Sequence, residues 1–401
     1  MRVVLKYGGT SVETIEKIKA VSEYIIKLKN SGYDEIVVVT SAMGKMTDDL
    51  INKARELSKA PNVRELDSLM SIGEQQSITL LSMALNEGGQ EAVSLTGFQA
   101  CIKTTGVHTK SRIKSIDTTK IERFLKEGKI VIVAGFQGIN DEGDITTLGR
   151  GGSDTSAVAL AASLGCPCKI YTDVDGIYSI DPRVYPKAKI LNCISYEEMM
   201  EMAHLGAGVM ETRAVELGKK FNVPIFVGRS LSETGGTNIV EREQILEEKL
   251  VTGISVTREI IMTNISGVEY SAKNTAEIFT LLNLQGVNVN MIVQNIDSNG
   301  DLELSFSSTA SEKYLLDSAI EEMKNIFPGI NAKHLDSLGM ISVVGIGMVN
   351  NSGVAGRLFS ALSRENIDFY QISTSEISIS WSLERELIDR AVASAAREFN
   401  L

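Results

Sequence analysis

The sequence predicts an α/β protein: a mostly parallel sheet covered by helices on both faces, followed by two small α+β modules. Three observations carry this. From residue 1 to about 230, strand-like and helix-like runs alternate, which implies parallel strands joined by crossover helices. Glycine-rich segments recur just after the apolar strand runs, where such sheets bind their ligands. Beyond a charged stretch, a β-α-β pattern appears twice. At 401 residues the chain is also too long for one ordinary core.

The first strand is expected over Arg2–Lys6, a helix over Ile15–Leu28 and a second strand over Glu35–Thr40, with later strands over Ile130–Ala134 and Lys169–Thr172. Ser230–Thr237 is rich in turn residues and the charged run Glu241–Lys249 follows it. The domains are therefore set at 1–235, a linker at 236–250, and modules at 251–332 and 333–401. Each module opens with a strand (Ile260–Asn264; Met340–Val344), then a helix (Thr275–Leu284; Val354–Arg364) and a second strand (Val289–Gln294; Phe369–Ser373). A third strand (Asp301–Ser307; Glu376–Leu383) and a closing helix complete each one. The sheet edges of such modules invite pairing.

A net charge of −11 disfavours a nucleic-acid partner. No apolar run reaches the roughly 18 residues of a membrane-spanning helix, and Met1–Leu5 enters a strand rather than a signal peptide, so a cytoplasmic protein without membrane attachment is expected. The four cysteines (Cys101, Cys166, Cys168, Cys193) lack zinc-finger spacing and read as reduced structural thiols. The three histidines are scattered, and His108 reads as a surface-loop residue.

The segment Thr147–Thr155 places three glycines, Arg150 and Asp154 ahead of an Ala-rich helix. Such a loop suits an anion, because the helix N-terminus favours negative charge and an arginine fork fits a carboxylate. A glycine turn capped by Ser153 or Asp154 explains the same letters. Lys6-Tyr7-Gly8-Gly9-Thr10-Ser11 ends the first strand with a lysine and a glycine turn, a cradle for phosphate or simply a turn. No GxxxxGK(S/T) motif occurs, so a P-loop enzyme is not indicated. Asp173-Val174-Asp175-Gly176 fits either a ribose-phosphate contact or an Asx turn, and Val184 at the twelfth position excludes an EF-hand. Glu74 lies in a helical stretch, either as solvated charge or as a counter-charge for an ammonium group.

Together, Lys6–Val12, Ser41-Ala42-Met43-Gly44, Ser71–Glu74, Gly135–Gly138, Thr147–Thr155, and Tyr171–Gly176 with Asp181-Pro182-Arg183 resemble aspartate kinase (aspartokinase), the amino-acid kinase family with C-terminal tandem ACT domains. Val343–Met348 and Ile372–Ile377 are similar to its paired ACT modules. The resemblance implies a three-layer amino-acid kinase-like domain followed by two α+β ferredoxin-like ACT modules. It further implies MgATP-dependent phosphorylation of the L-aspartate β-carboxylate to 4-phospho-L-aspartate, the first step of lysine, threonine and methionine synthesis. ATP and Mg2+ are the implied cofactors, with the ion carried on the ATP phosphates and no metal-binding side chain.

By similarity, Lys6 and the amides of Gly8 and Gly9 take the phosphates and Asp154 orients Lys6, while Thr172, Asp173, Tyr178, Asp181 and Arg183 hold the nucleotide. Arg150 clamps the aspartate α-carboxylate, Glu74 pairs its ammonium, and Ser41, Thr47, Gly151, Gly152 and Ser153 position the reacting end. Val289, Asn290, Gln294, Asp368, Ser375 and Glu376 are the implied effector residues for lysine, threonine or both, in a homodimer or larger assembly built through the ACT modules. Two departures stand out: Gly208 replaces a lysine often found near the nucleotide, and Ser271–Thr275 lacks the glycine that usually opens the first ACT helix. The alternatives are an amino-acid-sensing ACT protein with an inactive kinase domain, and a kinase for glutamate or N-acetylglutamate.

Overall fold

A computed structural model describes every residue except Arg150, Glu233, Leu246, Glu247, Glu248 and Ser352, and the side chain of Asn350. The chain divides into two compact units, Met1–Ser179 with Lys189–His204 and Gly208–Glu247, and Ile180–Ala188 with Leu205–Ala207 and Glu248–Leu401.

The first unit is built on an eight-stranded sheet in the order Cys193–Ser195, Thr237–Val240, Ile225–Arg229, Cys168–Thr172, Arg2–Tyr7, Glu35–Thr40, Ile130–Ala134, Ala92–Leu95. The last six strands of that order run parallel to one another. Ile36–Val39 and Ile130–Ala134 are wholly buried, as expected for strands covered on both faces. Helices Ile15–Asn30 and Ile72–Glu87 cover one face through Ile18, Val21, Ile25, Ile78, Leu81 and Leu85. Helix Gly152–Leu164 packs against strand Arg2–Tyr7 and helix Thr212–Phe221. Residues Gly152–Ala161 are all buried, so the Ala and Gly content of that helix is what lets it lie between two elements. A smaller four-stranded sheet, Arg112–Ile116, Ile102–Thr105, Gln137–Ile139 and Ile145–Thr147, carries the chain into the glycine loop.

The linker expected at 236–250 requires correction. Thr237–Val240 is a strand of the main sheet, antiparallel to Ile225–Arg229 and parallel to Cys193–Ser195. Thr237 is fully buried and its hydroxyl donates to the Leu191 carbonyl at 2.6 Å, so the turn-rich letters before it mark a hairpin rather than the end of the domain.

The second unit has one six-stranded antiparallel sheet: Asn290–Ile296, Asp301–Thr309, Gly253–Glu269, Asn331–Val344, Ser378–Glu384, Ile372–Thr374. Its two central strands are long and shared. Residues 260–266 pair with 331–338 in one half, and 253–257 pair with 340–344 in the other, with register shifts between. Each half is a ferredoxin-like module backed by two helices, Ala272–Leu284 and Lys313–Ile326 in one, Val354–Arg364 and Ile388–Phe399 in the other. The second module takes its fourth strand from residues 253–257, which precede the first module's own stretch of that strand, 260–266, in the chain. The expected division at 332/333 therefore falls inside a continuous strand, because a strand long enough to cross both halves leaves no linker to read. The segment Ile180–Ala188 also belongs here: Ile180 is fully buried in the core that contains Trp381, and Val184, Tyr185 and Ala188 pack against it.

Candidate active site

Strand Arg2–Tyr7 delivers Lys6 to the carboxyl end of the sheet, in register with Val39 and Ile170 on its neighbours. The Lys6 ammonium stands 2.6 Å from Asp154 Oδ1, and both residues are more than nine-tenths buried. Asp154 lies in the first turn of helix Gly152–Leu164, which follows Gly151 in a left-handed conformation (φ +63°). The turn after the first strand packs closely on Ala42–Gly44: the Gly9 carbonyl accepts from Gly44 N–H at 3.1 Å, and a Cβ on Gly9 would stand 2.7 Å from the Ala42 carbonyl oxygen. Glycine is required there by this approach.

Glu74 sits in the first turn of helix Ile72–Glu87 and is 3% exposed. Its Oε1 accepts the Ala42 N–H at 3.0 Å while Oε2 has no partner. Burial pushes its carboxyl up to about 7, against the two backbone hydrogen bonds that favour the charged form. A buried carboxylate with one oxygen free is a receptor for an incoming cation.

One cavity of 980 Å³ gathers Lys6, Gly9, Ser41, Thr47, Glu74, Gly151, Gly152, Ser153 and Asp154 along its wall. Arg150 lies outside the described residues. Other expectations change. The Gly8 N–H donates to the Tyr171 carbonyl on the neighbouring strand at 3.2 Å, and the Gly152 and Asp154 N–H groups donate to the Gly149 and Gly151 carbonyls of their own turn, so these amides are already engaged. Thr172 donates to Asp173 at 3.1 Å, and Tyr178 donates to Asp175, which also pairs with Arg229. Asp181 and Arg183 pair with each other at 2.7 Å and fall in the second unit, so the nucleotide set read from the sequence is divided between two units.

In the second unit, Asn290 pairs with Ser307 across the sheet, Gln294 accepts from the Thr275 hydroxyl at 3.3 Å, and Val289 packs on the first module's core. Ser375 shapes the turn into strand Ser378–Glu384, its Oγ accepting the Ser378 N–H at 3.0 Å, and Asp368 and Glu376 are exposed. Cys166 and Cys168 are buried and burial raises both thiols, Cys166 to about 11.

The sequence reading missed Asp67 and Arg213, and His108 is not merely a surface-loop residue. Asp67 is fully buried, with His108 Nδ1 2.7 Å from its Oδ2. Arg213 donates to the Leu148 and Ser111 carbonyls at 2.8 and 3.0 Å, fastening the glycine loop. A signal for Asp67 existed: Val63, Leu66 and Met70 mark an apolar stripe of helix Val63–Met70, and Asp67 occupies its i+4 position.

Comparison with known proteins fits this geometry. Residues 1–229 match the model of the amino acid kinase family and residues 341–399 that of the ACT domain. The chain is 44% identical over 400 residues to the aspartokinase of Geobacillus stearothermophilus, covering 100% of this chain and 97% of that one. The chain belongs to the aspartokinase family. Aspartokinase 2 of Bacillus subtilis is 43% identical over 401 residues, covering 100% of this chain and 98% of the relative. Among solved structures, aspartokinase III of E. coli in complex with aspartate and ADP superposes with a TM-score of 0.81 over 100% of both chains; at 23% identity this likeness is one of fold. Like its relatives, this aspartokinase is an ATP-dependent phosphotransferase acting on a carboxyl group, with ACT modules for regulation. Among the described residues no helix is long and apolar enough to cross a membrane.

Proposed function

We propose that L-aspartate and the terminal phosphoryl group of ATP meet in the cavity between Lys6 and Glu74. The observation that carries this reading is the pairing on one wall of a buried lysine–carboxylate couple with a buried glutamate whose second oxygen is free. Glu74 takes the substrate ammonium, and Ser41, Thr47 and Ser153 orient the β-carboxylate. That carboxylate has an ordinary pKa near 4 and is already ionised at neutral pH, so no general base is required. The barrier is the repulsion between two anions, which positioning and fixed positive charge must overcome. Lys6 supplies that charge at the transferring group, and Asp154, 2.6 Å away, fixes where the ammonium stands.

Magnesium is the expected companion of ATP. The described carboxylates lining the cavity are Asp48, Glu74 and Asp154; with Asp154 on Lys6 and Glu74 assigned to the substrate amine, the lining fits an ion that would be carried mainly by the ATP phosphates. When bound, the ion neutralises phosphate charge. Thr172, Asp173 and Tyr178 belong with the nucleotide in this reading, and Val289, Asn290, Gln294, Asp368, Ser375 and Glu376 with a regulatory amino acid, lysine alone or with threonine. The edge strand Asn290–Ile296, with Ile292 and Ile296 about half exposed, suits pairing between copies into a homodimer.

The test is trapping of the acyl phosphate with hydroxylamine, with ATP and magnesium, using aspartate, glutamate and N-acetylglutamate in parallel. Hydroxamate is expected from aspartate. Equal yields from glutamate, or none from aspartate, would overturn the assignment.

A further inference from the structure

We propose that Asp67, which does not line the cavity, is a positioning residue for the phosphoryl-transfer reaction: it holds the glycine loop and the Thr109–Lys110 segment in the shape that receives aspartate. Its carboxylate is fully buried, and among the described residues the hydrogen bonds to it come from the end of strand Ile145–Thr147 and from the His108–Thr109 segment. The Thr147 hydroxyl donates to Oδ1 at 2.5 Å. The Thr109 N–H is shared between the two oxygens at 3.1 and 3.0 Å. His108 Nδ1 stands 2.7 Å from Oδ2.

Each of these partners leads to the site. Thr147 ends strand Ile145–Thr147 two residues before Gly149, and Gly149, Gly151 and Gly152 line the cavity. Thr109 and Lys110 line the cavity themselves. The two loops also meet directly, because the Ser111 N–H donates to the Thr147 carbonyl at 3.0 Å and a Cβ on Gly149 would stand 3.2 Å from the Thr109 carbonyl oxygen. Asp67 therefore ties together two walls of one pocket from behind.

Backbone strain marks the same place. Thr109 is β-branched and sits at φ +66°, a conformation its side chain disfavours. Such a residue persists only where its surroundings over-determine it, and strain of this kind concentrates at functional sites. The hydrogen bond that holds Thr109 there is made by its own N–H to Asp67. A carboxylate that only stabilised helix Val63–Met70 would have no reason to fix the dihedral angles of a cavity-lining threonine 42 residues away. Asp67 is thus expected to act on aspartate binding more than on ATP.

The inference rests on aspartate occupying this cavity, which turnover of aspartate by the wild-type chain tests separately and first. Asp67→Asn keeps the size of the side chain but removes its charge and replaces one acceptor by a donor. In the full-length enzyme the KM for aspartate is expected to rise about tenfold to a hundredfold, the factor carried by losing a hydrogen bond to a charged group, with the KM for ATP within about twofold of wild type. Thr147→Val, which removes one donor at constant shape, is expected to give a smaller rise of the same selectivity, about threefold to tenfold. An aspartate KM unchanged in Asp67→Asn, or both KM values rising together, would overturn the proposal. Should Asp67→Asn fail to accumulate as folded protein, Thr147→Val decides the matter: an unaltered aspartate KM in that variant overturns it as well.

Discussion

Glu74 makes a conflict between stability and substrate binding measurable. Burial lifts its carboxyl from the ordinary 4.5 to about 7, which corresponds to about 3 kcal/mol for holding the ionised form in the folded protein. Between those two values the folded protein binds the proton more tightly than the unfolded chain does. Stability from this group is therefore present at low pH, falls as pH rises from about 4.5 to 7, and stays lower above that. Glu74→Gln keeps an acceptor for the Ala42 N–H and cannot ionise. Relative to wild type, the variant is expected to gain about 2–3 kcal/mol on going from pH 5 to pH 8, some 5–10 °C in Tm for a unit of this size. Thermal unfolding of both proteins across that range, without substrate, is the assay. Saturating aspartate should then abolish the difference in wild type alone, because its ammonium stabilises the ionised carboxylate. An identical pH dependence of Tm in the two proteins would refute the burial argument.

The KM for aspartate in wild type is expected to rise about tenfold per pH unit below about 7, because binding then requires Glu74 to lose its proton, and to stay flat in Glu74→Gln; a flat wild-type profile counts against the pairing. Lys6→Ala is expected to lower kcat by about 10²–10³-fold, and also to lower Tm by leaving the buried Asp154 carboxylate alone. Adding Asp154→Asn should restore Tm without restoring kcat, and near-normal kcat in Lys6→Ala would remove the lysine from its role. Ile180→Ala, although inside the kinase-family match, is expected to cost about 2–5 kcal/mol in the second unit; hydrogen exchange should increase in strand Ser378–Glu384, and loosening confined to the eight-stranded sheet would contradict the assignment. Titration of activity with lysine, threonine and both together should show inhibition by lysine, alone or with threonine, and indifference to all three would dismiss the effector reading.

Much of this molecule is legible in its letters, and the failures have physical causes. Strands such as Glu35–Thr40 and Ile130–Ala134 are runs of β-branched residues buried on both faces, a pattern that local composition specifies fully. The gathering of Lys6, Glu74 and Asp154 on one cavity wall could be anticipated because each sits in a short motif at the end of a strand or the start of a helix. Thr237–Val240 was not, because its pairing with Cys193–Ser195 and Ile225–Arg229 is decided by tertiary partners. The sharing of Gly253–Glu269 by two modules is likewise invisible to periodicity, since the register shift between its halves leaves no turn signal. Asp67 was missed for a different reason. A carboxylate on an apolar stripe looks like noise until the hydroxyl, amide and imidazole that satisfy it are seen to come from residues 41 to 80 positions away.

In the reading proposed above, the ionisable groups of the cavity suit one pocket to both a polyanion and a zwitterion. Among the described lining residues, Lys6, Arg55, Lys59 and Lys110 oppose Asp48, Glu74 and Asp154. The Lys6–Asp154 couple is internally neutral, so it contributes a fixed dipole with little net charge, and the exposed Arg55, Lys59 and Lys110 supply the longer-ranged attraction for phosphate. Glu74 sets the remainder. Burial lifts its carboxyl to about 7, which favours the protonated form relative to an ordinary glutamate and softens its repulsion of a triphosphate. On that reading an ammonium group beside Glu74 favours the ionised carboxylate, so the negative charge develops where the substrate supplies its partner. A glutamate held permanently ionised by a protein cation would pair with that cation instead, and the free Oε2 that makes Glu74 a receptor would be lost.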